Sequence, residues 1–444
     1  MPSKNVTALD HELFLRFQKE VADIRILSLL ESDADYWKNQ KQLFLAGKIE
    51  NPTFLYPFID KEHLSKTALK LTDFSKSIEE SSYHSIIKEI YCNKIEEQQI
   101  IISFLNAVSE GNEEKVQILS EKLYGAPERE TTMHLMDNLN EFISKKEANH
   151  GSEKLLQYLE KSGKEQNPFL PSQECMLWTK NNCYTQFQDA LNILQKYKEK
   201  DIFTAEEIAA VFEEYRSLID TKNLYSIVLR EKSLDSIAVD HNLKEVVIPT
   251  TKTVDFHRLS ELLIHELGYH VQQAIKGLNS RIMLLGKGFA NFEKVSEGPT
   301  TVWEQVFNED CALLFGIDRY LSIAFTKGMV GKKRNFREIF NFSYDFYFYF
   351  ELLHGVALET AKQTAVDLAW TRTTRTFRGT SGLSEGFCFT KDMIYTLGNI
   401  STWSYYEEYY HNHFPFPDLT IGKYDYTNPN HTKVLQFINS ISEY

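Results

Sequence analysis

The sequence predicts a mostly helical α+β protein, and three observations lead to that prediction. Long segments of the N-terminal third carry apolar residues at three- and four-residue spacing with charged residues between them, which is typical of amphipathic helices. A short stretch near the middle of the chain alternates β-branched and polar residues, which is typical of strands. The composition, 42% hydrophobic and 25% charged over 444 residues, is that of a globular protein with one large domain or two to three ordinary ones.

Residues 1–165 are expected to form a helical N-terminal region that packs on the rest of the chain. The segments His11–Leu30 and Gln98–Gly125 show the clearest helical spacing, and Gly125 is placed to end a helix. The segment from Gly163 to Glu174 contains two prolines between polar flanks and is the expected boundary. Residues 166–444 would then form a second region, with one continuous domain as the alternative.

The second region is predicted to begin its regular structure with a helix and a small sheet. Ala205–Ile219 has the pattern of an amphipathic helix. Three β-branched stretches follow: LYSIVLRE, SIAVD and KEVVIPT. The next segment, Glu261–Gln273 with the sequence ELLIHELGYHVQQ, is expected to be a helix that carries two histidines and a glutamate.

The two histidines, His265 and His270, are five residues apart, one more than in the His-Glu-x-x-His pattern of zinc proteases. On a regular helix, residues five apart point about 140° away from each other, so the two side chains could not bind one ion. A single wide turn would restore their common face, and such turns are found disproportionately at functional sites. Gly268 lowers the cost of that distortion because glycine is a poor helix former. We therefore predict a wide turn near Leu267–Tyr269.

Zinc bound by two histidines needs a third protein ligand and an open position for water. Glu297 is the expected third ligand because it lies at the start of a new helix, with Ser296 as the expected N-cap and Pro299 in the first turn. Glu293 and Glu304 are the alternatives. A small sheet followed by such a helix is what a zinc-peptidase core requires, so a zincin-like catalytic core is expected in residues 166–444.

Charge and cysteine content exclude several other classes of function. The net charge of −13 gives no general attraction to nucleic acid, so the His411–His413 sequence HNH is interpreted as an aromatic-rich surface segment rather than a nuclease motif. Nothing in the sequence approaches the ~20 apolar residues of a membrane-spanning helix. The five cysteines form no Cys-x-x-Cys pair, which argues against a disulfide framework and indicates that the protein is in a reducing compartment. The expected location is the cytoplasm, with export into another cell left open.

Beyond the histidine motif, several stretches resemble one family. HELGYH followed by SEGPT resembles the His-Glu-x-Gly-x-His and Glu-Glu-Gly-Leu-Ala pairing of the microtubule-associated tyrosine carboxypeptidases and of their bacterial relatives, the flavohaemoglobin expression-modulating QEGLA-motif proteins. Asn51–Pro57, Lys122–Pro127 and Phe377–Gly398 are similar to other signature stretches, so the resemblance extends over roughly Ile26 to Tyr410. Two departures, Ser296 and Pro299-Thr300, stand where the family has Glu and Leu-Ala.

The resemblance implies a zinc metallopeptidase in which His265, His270 and Glu297 hold Zn²⁺ and Glu266 is the catalytic base. It also implies that the substrate is the C-terminus of a peptide or protein, from which one residue, aromatic and possibly Tyr, is removed. A zinc endopeptidase or dipeptidyl-peptidase is the alternative activity, and a catalytically inactive binding relative is a further one. The chain has no counterpart of the second motif of dipeptidyl peptidase III, which also uses His-Glu-x-x-x-His.

Substrate binding is expected from the family-like stretch near residue 380. A carboxypeptidase must neutralise a terminal carboxylate, and Arg375, Arg378 and Lys391 are the candidates for that role. Tyr395, Arg378 and Lys391 are also the candidate donors to the oxyanion that forms during peptide hydrolysis. No spacing rule selects among them, and the sequence does not decide the physiological substrate or the oligomeric state.

Overall fold

Helices form most of the residues that the computed structural model describes, which are 8–22, 24–146, 149–159, 168–231 and 236–442. The architecture is mostly helical α+β, as the sequence predicts. The helices before the predicted boundary are α1 (His11–Val21), α2 (Ile26–Leu29), α3 (Ala34–Leu45), α4 (Lys61–Glu79), α5 (Ser85–Ser109), α6 (Glu113–Tyr124), α7 (Arg129–Ser144) and α8 (Ser152–Leu156).

Helices also dominate the residues after 168. They are α9 (Gln173–Gln186), α10 (Gln188–Leu194), α11 (Ala205–Ile219), α12 (Phe256–Leu262), α13 (Gln272–Leu278), α14 (Leu284–Lys287), α15 (Gly298–Phe307), α16 (Ile317–Lys327), α17 (Phe336–Leu353), α18 (Leu358–Phe377), α19 (Met393–His411) and α20 (Pro429–Ser442). A π-helix, Leu263–Val271, joins α12 to α13, and 3₁₀ turns cover Gln195–Tyr197, Phe292–Lys294 and Thr390–Asp392. None of the helices in the described ranges combines the length and apolar character needed to cross a lipid bilayer.

Two segments that the sequence predicts as continuous helices are each divided. The segment His11–Leu30 contains α1 and the short α2, and the segment Gln98–Gly125 contains the end of α5 and all of α6. The second division is explained by Gly111, whose φ of 66° ends the regular helix, and by Asn112, whose side chain accepts a hydrogen bond from the Lys115 N–H and starts the next. Gly125 ends α6 with a φ of 94°, as predicted.

The predicted strands are confirmed and form a small three-stranded sheet. Strands β2 (Ser226–Arg230), β3 (Ala238–Asp240) and β4 (Glu245–Pro249) are arranged in the order β2-β4-β3. Strand β4 lies parallel to β2 and antiparallel to β3. Two shorter strands, β1 (Ile202–Phe203) and β5 (Val254–Asp255), pair antiparallel immediately before α12. Both sheets therefore precede the histidine-bearing helix and support its N-terminal end.

The apolar cores join distant parts of the chain. One core surrounds the π-helix and contains β4, α11 and the two buried indoles Trp303 and Trp403. A second core joins α1, α4, α5 and α6 to residues such as Phe289 and Phe389. A third joins α3 and α7 to α16, α17 and α18. The N-terminal helices thus share cores with later segments, while the predicted boundary at 163–174 lies partly outside the described residues, which resume at 168.

Candidate metal centre

The helix that carries the two histidines contains the predicted wide turn. Residues Leu263–Val271 form a π-helix, which we call the histidine helix, and the Gln272 N–H at its end donates to the Leu267 carbonyl five residues earlier. Because π-helical bonding places residues five apart one above the other, His265 and His270 share a face. Their ring centroids are 5.0 Å apart. The prediction of a wide turn over Leu267–Tyr269 is therefore confirmed.

Gly268 lies inside this turn and has a second role besides its helical flexibility. A Cβ atom at this position would lie 3.1 Å from Cε1 of Phe187 and 3.2 Å from Cγ2 of Ile264. Phe187 also packs edge-on against Tyr269, with ring centroids 5.0 Å apart. The absence of a side chain at Gly268 therefore allows the buried Phe187 ring to approach the histidine helix closely.

The loop after the histidine helix brings Glu297 to the two imidazoles. Helix α15 begins at Gly298, so Glu297 occupies the N-cap position that the sequence had assigned to Ser296, and Ser296 instead donates its hydroxyl to the Glu293 carbonyl. A Cβ on Gly298 would lie 2.1 Å from Thr402 Oγ1 and 2.2 Å from the Gly398 carbonyl oxygen. The backbone of α15 is therefore pressed against α19, and this contact fixes where Glu297 lies.

One nitrogen or oxygen from each of His265, His270 and Glu297 lies within 4.8 Å of the others. Glu297 Oε2 is 3.8 Å from His265 Nε2 and 3.9 Å from His270 Nε2. Both distances are too long for a hydrogen bond. They are close to the roughly 3.4 Å that separates two ligand atoms around a tetrahedral zinc ion, as follows from zinc–ligand bonds of ~2.1 Å. The donor set therefore fits a zinc ion in size and in chemical type.

Glu304, the alternative third ligand, contacts the opposite side of one imidazole. His265 Nδ1 donates to Glu304 Oε1 over 2.7 Å, and Arg258 donates to Glu304 Oε2 over 3.3 Å. Although burial raises the pKa of Glu304, these two cationic partners hold it below its ordinary value. A carboxylate on Nδ1 fixes the ring so that Nε2 points toward Glu297, which is how metal-binding histidines are commonly oriented.

Glu293, the other alternative, turns away from the histidines. Its carboxylate forms an ion pair with Lys391. Of the three candidate glutamates, the structure brings only Glu297 to the Nε2 atoms of His265 and His270. Within the described residues the Glu297 carboxylate accepts no hydrogen bond, although its side chain is only 16% exposed. A carboxylate that is mostly removed from solvent and has no donor is the kind of group that a cation stabilises.

Glu266 lies next to this cluster but is not part of it. The residue is 8% exposed, and burial together with the charges of Glu297 and Glu304 raises the pKa of its carboxyl to about 7, with His265 acting in the opposite direction. For His265, burial opposes protonation, but the contact with Glu304 and the charge of Glu266 raise its pKa to about 9. Burial and the neighbouring His265 lower the pKa of His270. The site thus contains one acid with a pKa suited to proton exchange near neutral pH.

The four residues predicted to bind substrate lie in what we call the basic segment, Arg375–Tyr395. Two of its cations are already paired: Arg375 Nε lies 2.7 Å from Asp392 Oδ2, and Lys391 pairs with Glu293. Lys391 also lies over the Tyr124 ring, 4.6 Å from its centroid. The structure thus shows a structural role for both cations, and their binding of substrate stays a prediction.

Tyr395, at the end of the basic segment, interacts electrostatically with one of the candidate metal ligands. The charge of Glu297 is the main cause of the raised pKa of its phenol, followed by burial. Its ring is covered by Arg319, whose guanidinium carbon is 3.6 Å from the ring centroid. Arg378 makes no hydrogen bond or ion pair with the part of the chain that is described, and its role stays a prediction. Arg319 belongs to no motif, and nothing in its sequence context points to this position.

Three family-like stretches that are far apart in sequence meet beside the basic segment. The Tyr56 hydroxyl accepts from the Gly379 N–H over 2.7 Å and donates to the Thr380 carbonyl over 2.8 Å. Gly125 lies next to α19, with Leu397 Cδ1 4.0 Å from where its Cβ would be. These contacts connect Asn51–Pro57 and Lys122–Pro127 to the polypeptide that carries Tyr395.

Comparison with known protein families identifies one match. A sequence model of the family described as microtubule-associated tyrosine carboxypeptidase matches residues 163–439, which is more than half of the chain. The matched segment contains the histidine helix, Glu297 and the basic segment. The stretches Asn51–Pro57 and Lys122–Pro127 lie outside it. No curated protein matches the chain.

Proposed function

The chain belongs to the microtubule-associated tyrosine carboxypeptidase family, and from this premise we propose that it is a zinc-dependent carboxypeptidase. Membership of this family implies a peptidase of the carboxypeptidase class that acts on protein. The finer proposal is that the enzyme removes a single residue, preferably aromatic, from the C-terminus of a peptide or protein. The observation that carries it is the convergence of two imidazoles and one carboxylate on a common gap, with a buried glutamate beside them.

In this proposal His265, His270 and Glu297 hold the zinc ion. Zinc binding to His265 Nε2 would release the proton that the raised pKa of this imidazole otherwise retains. Two neutral imidazoles and one carboxylate would then leave a bound Zn²⁺ with a net positive charge, which would lower the pKa of a water molecule and polarise a peptide carbonyl. Glu304 is the positioning residue for His265, because its hydrogen bond to Nδ1 keeps Nε2 directed into the gap. Glu297 is held by the close contact between Gly298 and α19.

Glu266 is the proposed general base. As the residue after His265 in the histidine helix, it accepts no hydrogen bond within the described residues, so its carboxylate is free to take a proton from the attacking water. Its raised pKa suits it to pass that proton on to the amine that leaves when the peptide bond breaks. The same carboxylate thus serves as base in the first step and, once protonated, as acid in the second.

Tyr395 is the proposed donor to the oxyanion that develops on the peptide carbonyl. Its phenol lies close enough to Glu297 for that charge to dominate its pKa, and Arg319 and Arg375 lie on or near its ring. A neutral phenol O–H beside the reacting carbonyl can donate to a negative oxygen more strongly than to a neutral one. Lys391 is a less suitable donor because it already forms an ion pair with Glu293. We therefore propose Tyr395 as the donor and keep Arg378 as the alternative.

The proposal is tested by measuring the hydrolysis of peptides that end in Tyr, Phe, Ala or Asp. Each peptide is supplied both as a free acid and as a C-terminal amide. The zinc-loaded protein should release one residue from the free acids, fastest from those ending in Tyr or Phe, and products should be identified by mass spectrometry. Amidated peptides should be cut far more slowly because they lack the terminal charge. Cleavage only at internal bonds would establish an endopeptidase instead, and release of N-terminal dipeptides would establish a dipeptidyl-peptidase.

A further inference from the structure

A chain of hydrogen bonds runs from one candidate metal ligand through two helices toward the protein surface. Nδ1 of His265 donates to Oε1 of Glu304 over 2.7 Å, and Nη1 of Arg258 donates to Oε2 of Glu304 over 3.3 Å. The same Arg258 nitrogen donates to Glu261 over 2.5 Å, and the other Glu261 oxygen accepts from the Asn308 amide over 2.6 Å. Each carboxylate in this chain therefore has both of its oxygens engaged.

The local sequence places Arg258 between the two carboxylates. Asp255 caps α12 and accepts from the Arg258 N–H over 2.7 Å, which fixes the backbone of Arg258 in the first turn of the helix. Glu261 follows three residues later on the same face of α12, and Glu304 lies on α15, which packs against α12. The two carboxylates are buried, with 7% and 8% of their side chains exposed, whereas 46% of the Arg258 side chain is exposed. Replacing Arg258 therefore removes a bridging charge without creating a cavity in an apolar core.

Glu304 needs such a partner because it also lines an open cleft. The cleft has a volume of about 560 Å³, and His257, Glu304 and Asn308 form part of its wall. A carboxylate at such a wall gains free energy by turning toward water, since water hydrates a charge better than a protein interior does. That turn would break the hydrogen bond with His265 and leave the imidazole free to rotate. Arg258 opposes the turn because it holds the second oxygen of the carboxylate.

We propose that Arg258 is a positioning residue for the metal centre and acts through Glu304. It holds the Glu304 carboxylate against Nδ1 of His265, and the imidazole then keeps Nε2 directed at the gap shared with His270 and Glu297. This inference rests on the proposed zinc site and adds a residue of α12 to those that hold the site in place.

The sign of the change in zinc affinity distinguishes positioning from simple electrostatics. Through its charge alone, Arg258 would repel a cation, so its removal would strengthen zinc binding. Through positioning, its removal would weaken zinc binding, because His265 would lose its fixed orientation. Replacing the partner of a metal-binding histidine typically costs roughly 10- to 100-fold in metal affinity, and Arg258 acts one residue further from the metal than Glu304 does. We therefore expect a loss of about tenfold, at the lower end of that range.

The dissociation constant for zinc is measured by competition with a chromophoric chelator, which requires no turnover. Arg258→Met should raise this constant about tenfold. Arg258→Lys should recover part of the loss because its ammonium can still donate to a carboxylate at this position. Arg230→Met is the matched control, since Arg230 is also 46% exposed and also pairs with a glutamate, Glu245, over 2.8 Å, but lies in β2. The control should bind zinc as the parent does.

A double-mutant cycle shows whether Arg258 acts through Glu304. In a Glu304→Gln background, which has already lost the carboxylate, Arg258→Met should weaken zinc binding no further. An additional loss of about tenfold in that background would show that Arg258 acts by another route and overturns the inference. A zinc affinity in Arg258→Met that equals or exceeds that of the parent overturns it as well.

Two further readings separate this inference from a folding defect and from the proposed function. Circular dichroism of the zinc-free proteins should show the same helix content in Arg258→Met, Arg230→Met and the parent. A loss of helix content confined to Arg258→Met would show a structural role and overturn the inference. A parent protein that binds no zinc overturns the zinc site itself, whereas a parent that binds zinc but cuts no peptide overturns the proposed activity and leaves the role of Arg258 intact.

Discussion

The histidine helix and the basic segment both contribute to one candidate active site, but their chemistry is encoded in different ways. In the histidine helix, His265 and His270 are five residues apart and can bind one ion only if the helix widens between them. The helix does widen there, because Leu263–Val271 is a π-helix. In the basic segment, the role of each cation depends on acids elsewhere in the chain, such as Glu293, which is 98 residues from Lys391. Local spacing can therefore be interpreted from sequence, whereas the pairing of charges requires the fold.

The largest expected effect is on turnover and concerns the histidine helix. Glu266→Gln preserves the shape of the side chain but removes the base, so kcat should fall by roughly 10²- to 10⁴-fold. Zinc content should remain that of the parent because Glu266 is not among the residues that face the gap. Single-turnover kinetics and elemental analysis on the same preparation measure both quantities. Activity within a few-fold of the parent would show that another residue takes the proton.

A smaller effect is expected in the basic segment. Tyr395→Phe removes one hydroxyl and keeps the ring on which Arg319 lies, so kcat should fall by roughly 10- to 100-fold, below the loss for the strongest oxyanion donors. Substrate affinity and zinc content should stay close to those of the parent, since the change acts on the transition state. Steady-state kinetics on a free-acid peptide check this. An unchanged kcat would show that Tyr395 is not the oxyanion donor, and Arg378 would then be the next candidate for that role.

Much of the fold and part of the site could be predicted from the sequence. Helical and β-branched patterns identified α11 and strands β2 to β4, because periodicity and propensity are local properties. The division of Gln98–Gly125 was missed although Gly111 and Asn112 carry the usual signals of a helix end and a new N-cap. The N-cap of α15 was placed one residue too early, at Ser296 rather than at Glu297.

The rest of the site depends on long-range contacts that no spacing rule describes. Glu304 follows Glu297 by two helical turns, so the two residues lie on the same face of the helix and both approach His265. Sequence alone could therefore not show which of them is the metal ligand and which positions the imidazole. Arg319 shows the same limit, because its position over the Tyr395 ring results from a contact between residues 76 apart in the sequence. That contact is seen only in the folded chain.

The measurement that tests the account most directly is the zinc content of the purified protein and of single-residue variants. The parent should contain one zinc per chain, and His265→Ala, His270→Ala and Glu297→Ala should each lose it or bind it far more weakly. Glu293→Gln is the control, since it breaks only the contact with Lys391 and should keep the metal. Full zinc occupancy in Glu297→Ala, or a parent protein that takes up no zinc from a zinc-containing buffer, would contradict the proposal that the widened helix and Glu297 together bind one ion.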